Sequence, residues 1–391
     1  MADTSVTIGG LRFSNPVFVA AGCHTRDGAT MASVARKGRP GALITKTIVS
    51  QPSPDVLPCF VPVKSGFINC VVGSSLPARQ WFDQEIAAAK AGGATVIANL
   101  AGFYPAQAAE LAAQAVAAGA DAVELPTVCS HLREILEALY PGLVVELPGI
   151  YDTGPFVETL RAVKAAVDVP VIAKLSAVFL NNTVQWAQAA AEAGADAVAC
   201  ADALGPALAI DIETGEPLLG GPRGVGGLTG DALKPIAMRM VLEVAQTVAL
   251  PVIGVGGVNS AEDAIEYFMA GACAVGVCTA GHLRGIEAYD KIITGIERWL
   301  DQRGYGSIND VRGLTIRRIN ARKEQGRQCI TTPRFPELDA SLCNACGICV
   351  RSCVFQALVV EDVAVVDRAR CYGCGLCARV CPRKAFSLAY Y

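Results

Sequence analysis

Cys343-Asn344-Ala345-Cys346-Gly347-Ile348-Cys349-Val350-Arg351-Ser352-Cys353 and Cys371-Tyr372-Gly373-Cys374-Gly375-Leu376-Cys377-Ala378-Arg379-Val380-Cys381 carry one spacing twice, C-x2-C-x2-C-x3-C, and Pro382 follows the second run. This is the bacterial pattern for two [4Fe–4S] clusters. Thiolates this close in sequence reach one cubane because the intervening turns are tight and contain Gly347, Gly373 and Gly375. In this pattern the fourth Cys of each run serves the other cluster. The expected ligand sets are therefore Cys343, Cys346, Cys349 and Cys381 for one cluster, and Cys371, Cys374, Cys377 and Cys353 for the other. Zinc knuckles or disulfides are the alternatives, but zinc sites rarely repeat four Cys in this rhythm. Val354 stands where the first run would carry Pro, a change expected to touch the turn and not the ligand count. Two such clusters handle single electrons, so the remaining residues are to be read as what needs them.

The totals bound that reading. The chain has 391 residues, 52% hydrophobic and 18% charged, which fits two domains with a large buried core. A net charge of −3 implies no strong attraction to nucleic acid or an anionic membrane. Met1-Ala2-Asp3 opens no apolar run, so no signal peptide is expected, and no run is long enough to span a bilayer. Eight of the 16 Cys lie outside the cluster runs, scattered without a pairing rhythm. Free thiols beside oxygen-sensitive clusters point to a reducing cytoplasm.

Upstream, residues 1–15 alternate weakly around Gly9-Gly10 and read as a β-hairpin. Eight near-continuous apolar runs follow, at 16–22, 41–47, 95–102, 122–128, 170–176, 197–203, 251–257 and 274–280. Such runs suit parallel strands buried on both faces. Amphipathic, Ala-rich helical stretches separate them, at 106–118, 184–193 and 261–270 for example. Eight β/α units predict a TIM (β/α)8 barrel, with an open doubly wound sheet as the alternative. The fold class is thus α/β, a TIM barrel over 1–304, followed by a connector over 305–335 and a small α+β bacterial ferredoxin-like domain over 336–391. Residues 286–300 read as a last amphipathic helix, 317–334 as a basic surface connector, and 357–366 as a small hairpin.

Barrel chemistry gathers at the C-terminal strand ends. Gly254-Val255-Gly256-Gly257 ends the seventh run, and Gly276-Val277-Cys278-Thr279-Ala280 ends the eighth. Glycines there let backbone N–H groups approach a phosphate. Lys46, Asn99 and Lys174 end the second, third and fifth runs. Two Lys inside apolar strands are costly unless each meets an anion or strong acceptor, in an ion pair or in a phosphorylated, electron-rich ring.

These stretches together resemble the dihydroorotate dehydrogenase family. The architecture is similar to the C-terminal part of dihydropyrimidine dehydrogenase, where an FMN barrel precedes the same two-cluster module. The matching stretches run from Asn15-Pro16 and Ala20-Ala21-Gly22 through Thr45-Lys46-Thr47, Ser65-Gly66-Phe67-Ile68-Asn69 and Ala98-Asn99. They continue with Ala173-Lys174-Leu175-Ser176, Gly226-Gly227-Leu228-Thr229-Gly230 and Gly256-Gly257-Val258. The resemblance implies FMN held by Ala21, Gly22, Lys46, Asn99, Lys174, Gly227, Gly256, Gly257, Gly276 and Thr279. Asn69 and Lys46 are the expected substrate contacts, with Asp202 as a further candidate; the family leads to the expectation of a homodimer, and a hetero-oligomer is the other assembly expected.

The departures bear on substrate. Family members acting on dihydroorotate carry Asn-x-Ser-Cys-Pro-Asn after the fourth strand, with Cys as acid/base. Here that stretch reads Pro126-Thr127-Val128-Cys129-Ser130-His131, so the Cys stays and both Asn are gone. After the sixth strand the family's Asn becomes Asp202, free to bind an amine or hydroxyl or to pair with Lys174. Residues 132–140 look helical where the family has a mobile loop. Cys129 and His131 are the candidate catalytic residues, either of which suits proton transfer. Cys23, His24, Cys70 and Arg223 read as wall residues at the same barrel end.

The expected activity is a flavin- and iron–sulfur-dependent oxidoreductase acting on an activated C=C bond, or on its saturated product, in a small planar or conjugated substrate. No G-x-G-x-x-G follows any strand, so NAD(P)H or FAD is expected on a partner subunit, or the partner is a ferredoxin. The alternative is an electron-transfer subunit of a larger complex whose barrel binds flavin without turning over a substrate.

Overall fold

The computed structural model describes residues 2–128, 149 and 151–390. The chain divides into two units, residues 1–316 and 317–391.

In the first unit the eight apolar runs are eight parallel strands. They are β1 (Val17–Val19), β2 (Ala42–Ile44), β3 (Val96–Ala101), β4 (Ala122–Pro126), β5 (Val171–Leu175), β6 (Ala197–Cys200), β7 (Val252–Val255) and β8 (Ala274–Val277). Each pairs with the next, and Val275 of β8 lies beside Val17 of β1, which closes the sheet. Closure excludes the open doubly wound alternative. Almost every residue of these strands is buried. Inward side chains fill the barrel and outward ones meet helices, so neither face tolerates alternation with polar residues. Helices Pro105–Ala117, Thr183–Glu192 and Ala261–Ala270 cover the outside, each burying one Ala-rich stripe. Trp186 adds bulk to that layer by stacking on Phe179 at 3.9 Å.

The N-terminal strand ends are tied by a repeated device. Ala118-Gly119-Ala120-Asp121-Ala122-Val123 recurs as Ala193-Gly194-Ala195-Asp196-Ala197-Val198. Asp121 accepts the N–H of Val96, which opens β3, at 2.8 Å, and binds Lys90 at 2.6 Å. Asp196 likewise accepts the N–H of Val171, which opens β5, at 2.7 Å, and binds Lys164 at 2.6 Å. Each Asp thus joins its own strand to the strand before it and to the helix before that. In the third copy, 270–275, Cys273 takes the Asp position and keeps only the backbone bond to Val252, at 2.8 Å.

Several expectations are met nearly in place. The opening hairpin pairs Val6–Ile8 with Leu11–Phe13, and the last barrel helix runs Glu287–Gln302. The basic connector differs, since its first part is a helix, Leu314–Glu324, that buries none of its residues. A four-stranded antiparallel sheet also stands where no sheet was expected. It joins Phe60–Val63 and Gly66–Asn69, inserted after β2, to Leu204–Leu208 and Val225–Thr229, inserted after β6. The stretch 132–140, expected to be helical, lies outside the described residues together with Cys129 and His131.

The second unit repeats itself. Helices Ile348–Ser352 and Leu376–Val380 each start from a left-handed glycine, Gly347 at φ +70° and Gly375 at φ +81°. Left-handed turns also recur at Ala345 and Gly373, and at Gln356 and Lys384. Leu358–Val360 pairs with Ala364–Val366, and Glu337–Leu338 pairs with Phe386–Ser387.

Replacing Asp196 with Ala removes the acceptor for the buried Val171 N–H. It should cost about 1–3 kcal/mol in denaturant unfolding, and the same change at Asp121 should add independently.

Candidate functional site

A pocket of about 560 Å3 opens at the C-terminal strand ends. That size lies within the usual range for small-molecule and cofactor sites. Every barrel strand reaches it. Ala21 and Gly22 come from the turn after β1, Lys46 from the end of β2, Asn99 from β3, and Pro126 from β4. Lys174 comes from β5, Asp202 from the turn after β6, Gly256 and Gly257 from after β7, and Gly276 and Thr279 from β8 and its turn. Asn69 joins from the inserted sheet. Gly227 lies behind Asn69, whose side-chain amide donates to its carbonyl at 3.4 Å, and does not line the pocket.

The floor is an ionic node. Lys174 is 6% exposed, with its ammonium 3.2 Å from Asp202 Oδ1 and 3.8 Å from Glu124 Oε1. Asn99 donates to Glu124 Oε1 at 2.5 Å. Asn99 Oδ1 and Glu124 Oε2 are buried without a hydrogen-bond partner. Burial alone would lower the pKa of Lys174, but Asp202 and then Glu124 outweigh it and hold the ammonium charged. Burial raises the pKa of Glu124 against the pull of Lys174 and Asn99. Asp202, the nearer and partly solvated carboxylate, is therefore the main counter-charge to Lys174. Lys46 is only half-buried, and it donates to the Val72 carbonyl.

An aromatic wall faces this floor, and its composition was not read from the sequence. Phe60, Phe67 and His282 lie with ring centroids 5.4 to 5.9 Å apart. His282 also stands edge-on to His24, at 5.3 Å, and His24 Nδ1 is 2.9 Å from the Tyr289 hydroxyl. Burial lowers the pKa of both imidazoles. For His282 the Lys46 charge adds to this, and for His24 the neighbours His282 and Arg26 do. Cys23 lines the pocket, as does Cys278, whose thiol burial pushes up to about 11. Cys70 is buried, with its thiol directed at the Val56 and Pro58 carbonyls, and Arg223 is exposed on a loop. The signal that could have found His282 was its place three residues after Thr279, in a chain with three His.

The residues fit a phosphorylated, ring-bearing cofactor. Asn99 Oδ1 is a buried acceptor that calls for a donor. The strand-7 turn brings backbone to the pocket through two glycines that no other residue would replace without strain. Gly257 has φ +67°, and a Cβ there would meet the Gly230 carbonyl oxygen at 2.6 Å. A Cβ on Gly22 would lie 2.7 Å from Cys278 Sγ.

The second unit contains two smaller cavities. One is lined by Cys343, Cys346, Cys349 and Cys381, and the other by Cys353, Cys371, Cys374 and Cys377. Each therefore draws three Cys from one run and the fourth from the other. Backbone N–H groups point at both fourth sulfurs, Ala357 to Cys353 at 3.4 Å and Ala385 to Cys381 at 3.3 Å. Val354, 80% exposed, leaves this turn the same as the one that follows Cys381. Among the described residues, no group of three or more His, Cys, Asp or Glu closes on a single-ion position. A cubane spreads its thiolates over four irons, so it suits these cavities better than one zinc ion. None of the fifteen described cysteines forms a disulfide. No described helix is long and apolar enough to cross a membrane.

Comparison with known proteins agrees with this geometry. Residues 152–300 match the dihydroorotate dehydrogenase family model, and residues 342–385 match the 4Fe-4S dicluster domain. The catalytic subunit of dihydroorotate dehydrogenase B (NAD(+)) from Methanosarcina acetivorans is 38% identical over 308 residues, which are 78% of this chain and 94% of that protein. The protein of the same name from Methanothermobacter thermautotrophicus is 35% identical over 80% of this chain and 98% of its own length. The one from Thermococcus kodakarensis is 33% identical over 81% and 99%. The chain belongs to the dihydroorotate dehydrogenase family. It is an FMN- and iron–sulfur-dependent oxidoreductase that acts on a CH–CH bond and passes electrons through its iron–sulfur module to a partner.

Two measurements check this account of the floor and wall. Lys174→Met leaves Glu124 buried without a cation and should cost about 3–5 kcal/mol of stability. Adding Glu124→Gln should restore about 1–3 kcal/mol, the cost of an unpaired buried group. For the wall, the native imidazoles bind protons less readily than in the unfolded chain. Their contribution is present above the ordinary value of 6.5 and is lost as pH falls through the depressed native values. The melting temperature should therefore drop between pH 7.5 and pH 5.5, roughly spanning that window, and drop less in His282→Gln.

Proposed function

We propose that FMN binds in the barrel pocket and that a substrate with a carbonyl-activated C=C bond, or its saturated product, lies against it. One observation carries this reading. Lys46, Asn99, Lys174 and the glycine-rich turns after β7 and β8 meet around one pocket. When bound, the flavin exchanges two electrons with a substrate carbon and releases them singly. Ala21, Gly22, Gly256, Gly257, Gly276 and Thr279 form the cofactor's bed, with Lys46, Asn99 and Lys174 at its polar edge, while Gly227, expected there, stands behind Asn69. Lys46 and Lys174 favour negative charge developing on a bound ring. Asn69, Lys46 and Asp202 hold the substrate. Cys129 and His131, which follow the pocket residues 126–128 in sequence, give or take the substrate proton.

The iron–sulfur module holds two [4Fe–4S] clusters, one for each four-cysteine cavity. Its backbone N–H bonds to Cys353 and Cys381 stabilise thiolate charge. The electron partner is an FAD/NAD(P)-binding subunit or a ferredoxin. The relatives' designation as catalytic subunits favours a separate subunit. The protein works in the cytoplasm, as a homodimer or within a hetero-oligomer.

Anaerobic protein, fully reduced, should be reoxidised at the flavin band by at least one of uracil, thymine and orotate. Protein with intact cofactors that none of them reoxidises would count against the proposed substrate class. Cys129→Ser should slow that step by about 10²-fold or more while cluster reduction is unchanged. Iron content should be about eight per chain, and Cys346→Ala should lower it to about four with flavin retained.

A further inference from the structure

We infer that Asp202 sets the substrate class of this pocket: its carboxylate accepts an N–H from a neutral conjugated substrate and turns away one that carries a carboxylate. This inference rests on the barrel pocket being the substrate site. Asp202 lines the pocket with 35% of its side chain exposed, and it is held by Lys174 at 3.2 Å. Lys174 also has Glu124 on its other side, at 3.8 Å, so two carboxylates already face its one charge. Lys46, the second lysine of the pocket, donates to the Val72 carbonyl.

The edge of β4 offers an anion little more. Pro126 has no N–H and no polar side chain, and it stands where the dihydroorotate-type motif carries an Asn. Thr127 Oγ1 donates to the Lys174 carbonyl at 3.0 Å and accepts the Ser176 N–H at 3.2 Å, so its hydroxyl is engaged in both directions. Beside Asp202, a carboxylate loses its water while the nearest described cation, Lys174, is already paired. It also meets the like charge of Asp202 in a medium less polar than water. A neutral imide or amide sheds less solvation and gains a charge-assisted N–H···O bond to Asp202. Selection here works through repulsion of the wrong ligand as much as attraction of the right one.

Uracil and orotate share one ring and differ by a carboxylate. The oxidised holoprotein, titrated with each, is followed at the flavin band. Uracil should bind at least about tenfold more tightly than orotate, and Asp202→Asn should shrink that ratio by about tenfold or more. Equal or tighter binding of orotate by the unaltered protein overturns the inference, as does no binding of uracil, or an unchanged ratio in Asp202→Asn. The ratio in the unaltered protein decides the matter even where the variant folds poorly. The catalytic reading fails separately, when no acceptor reoxidises the reduced protein. The specificity inference fails alone when orotate reoxidises it as fast as uracil does.

Discussion

A lysine ammonium with 6% of the residue exposed has to be compensated where it stands, and the pocket floor is built around that need. Lys174 is fixed by its strand. It pairs in register with Pro126 on one side and Ala199 on the other, so its reach is set by the barrel's stagger. Two carboxylates answer it, and they differ in kind. Glu124 is inside the barrel wall, is tied to Asn99, and resists ionisation. Asp202 is in a turn, is partly wet, and carries the counter-charge with less penalty. Because Asn99 is committed to Glu124 through its amide nitrogen, its buried oxygen is left without a partner. One buried cation thus determines which polar atoms its neighbours can offer to a ligand.

Much of this was legible in the sequence, for definable reasons. Strands buried on both faces appear as uninterrupted apolar runs, so the eight barrel strands stood out, and the polar residues at their ends could be ranked by how badly they fit a core. Lys46, Asn99 and Lys174 were found this way and Asp202 through its departure from the family's Asn, and all four line the pocket. The crossed cysteine sets were legible because the repeated spacing is that of the bacterial two-cluster pattern, in which the fourth Cys of each run serves the other cluster.

The inserted sheet was not legible. Its strands have four or five residues, come from two segments far apart in sequence, and are not continuously apolar: Phe60–Val63 and Leu204–Leu208 are largely exposed or half-buried. Pairing between such segments depends on the barrel bringing them together. The aromatic wall was hidden for the same reason, since Phe60 and Phe67 become neighbours of His282 only through that sheet. Lys46 was expected to be buried like Lys174. It is half-buried because β2 ends at Ile44 and the chain has already begun to turn.

The exchange of fourth cysteines also sets the order in which the second unit can be completed. Emerging from the ribosome, the first run presents three thiols of one cavity and a fourth that belongs elsewhere. The cavity of Cys371, Cys374 and Cys377 has its full set once Cys377 is out, because Cys353 is already waiting. The older run, though started first, stays open until Cys381 arrives. Loading with iron and sulfide is therefore held back until the second run has been made, by which time the barrel has had its whole sequence in hand.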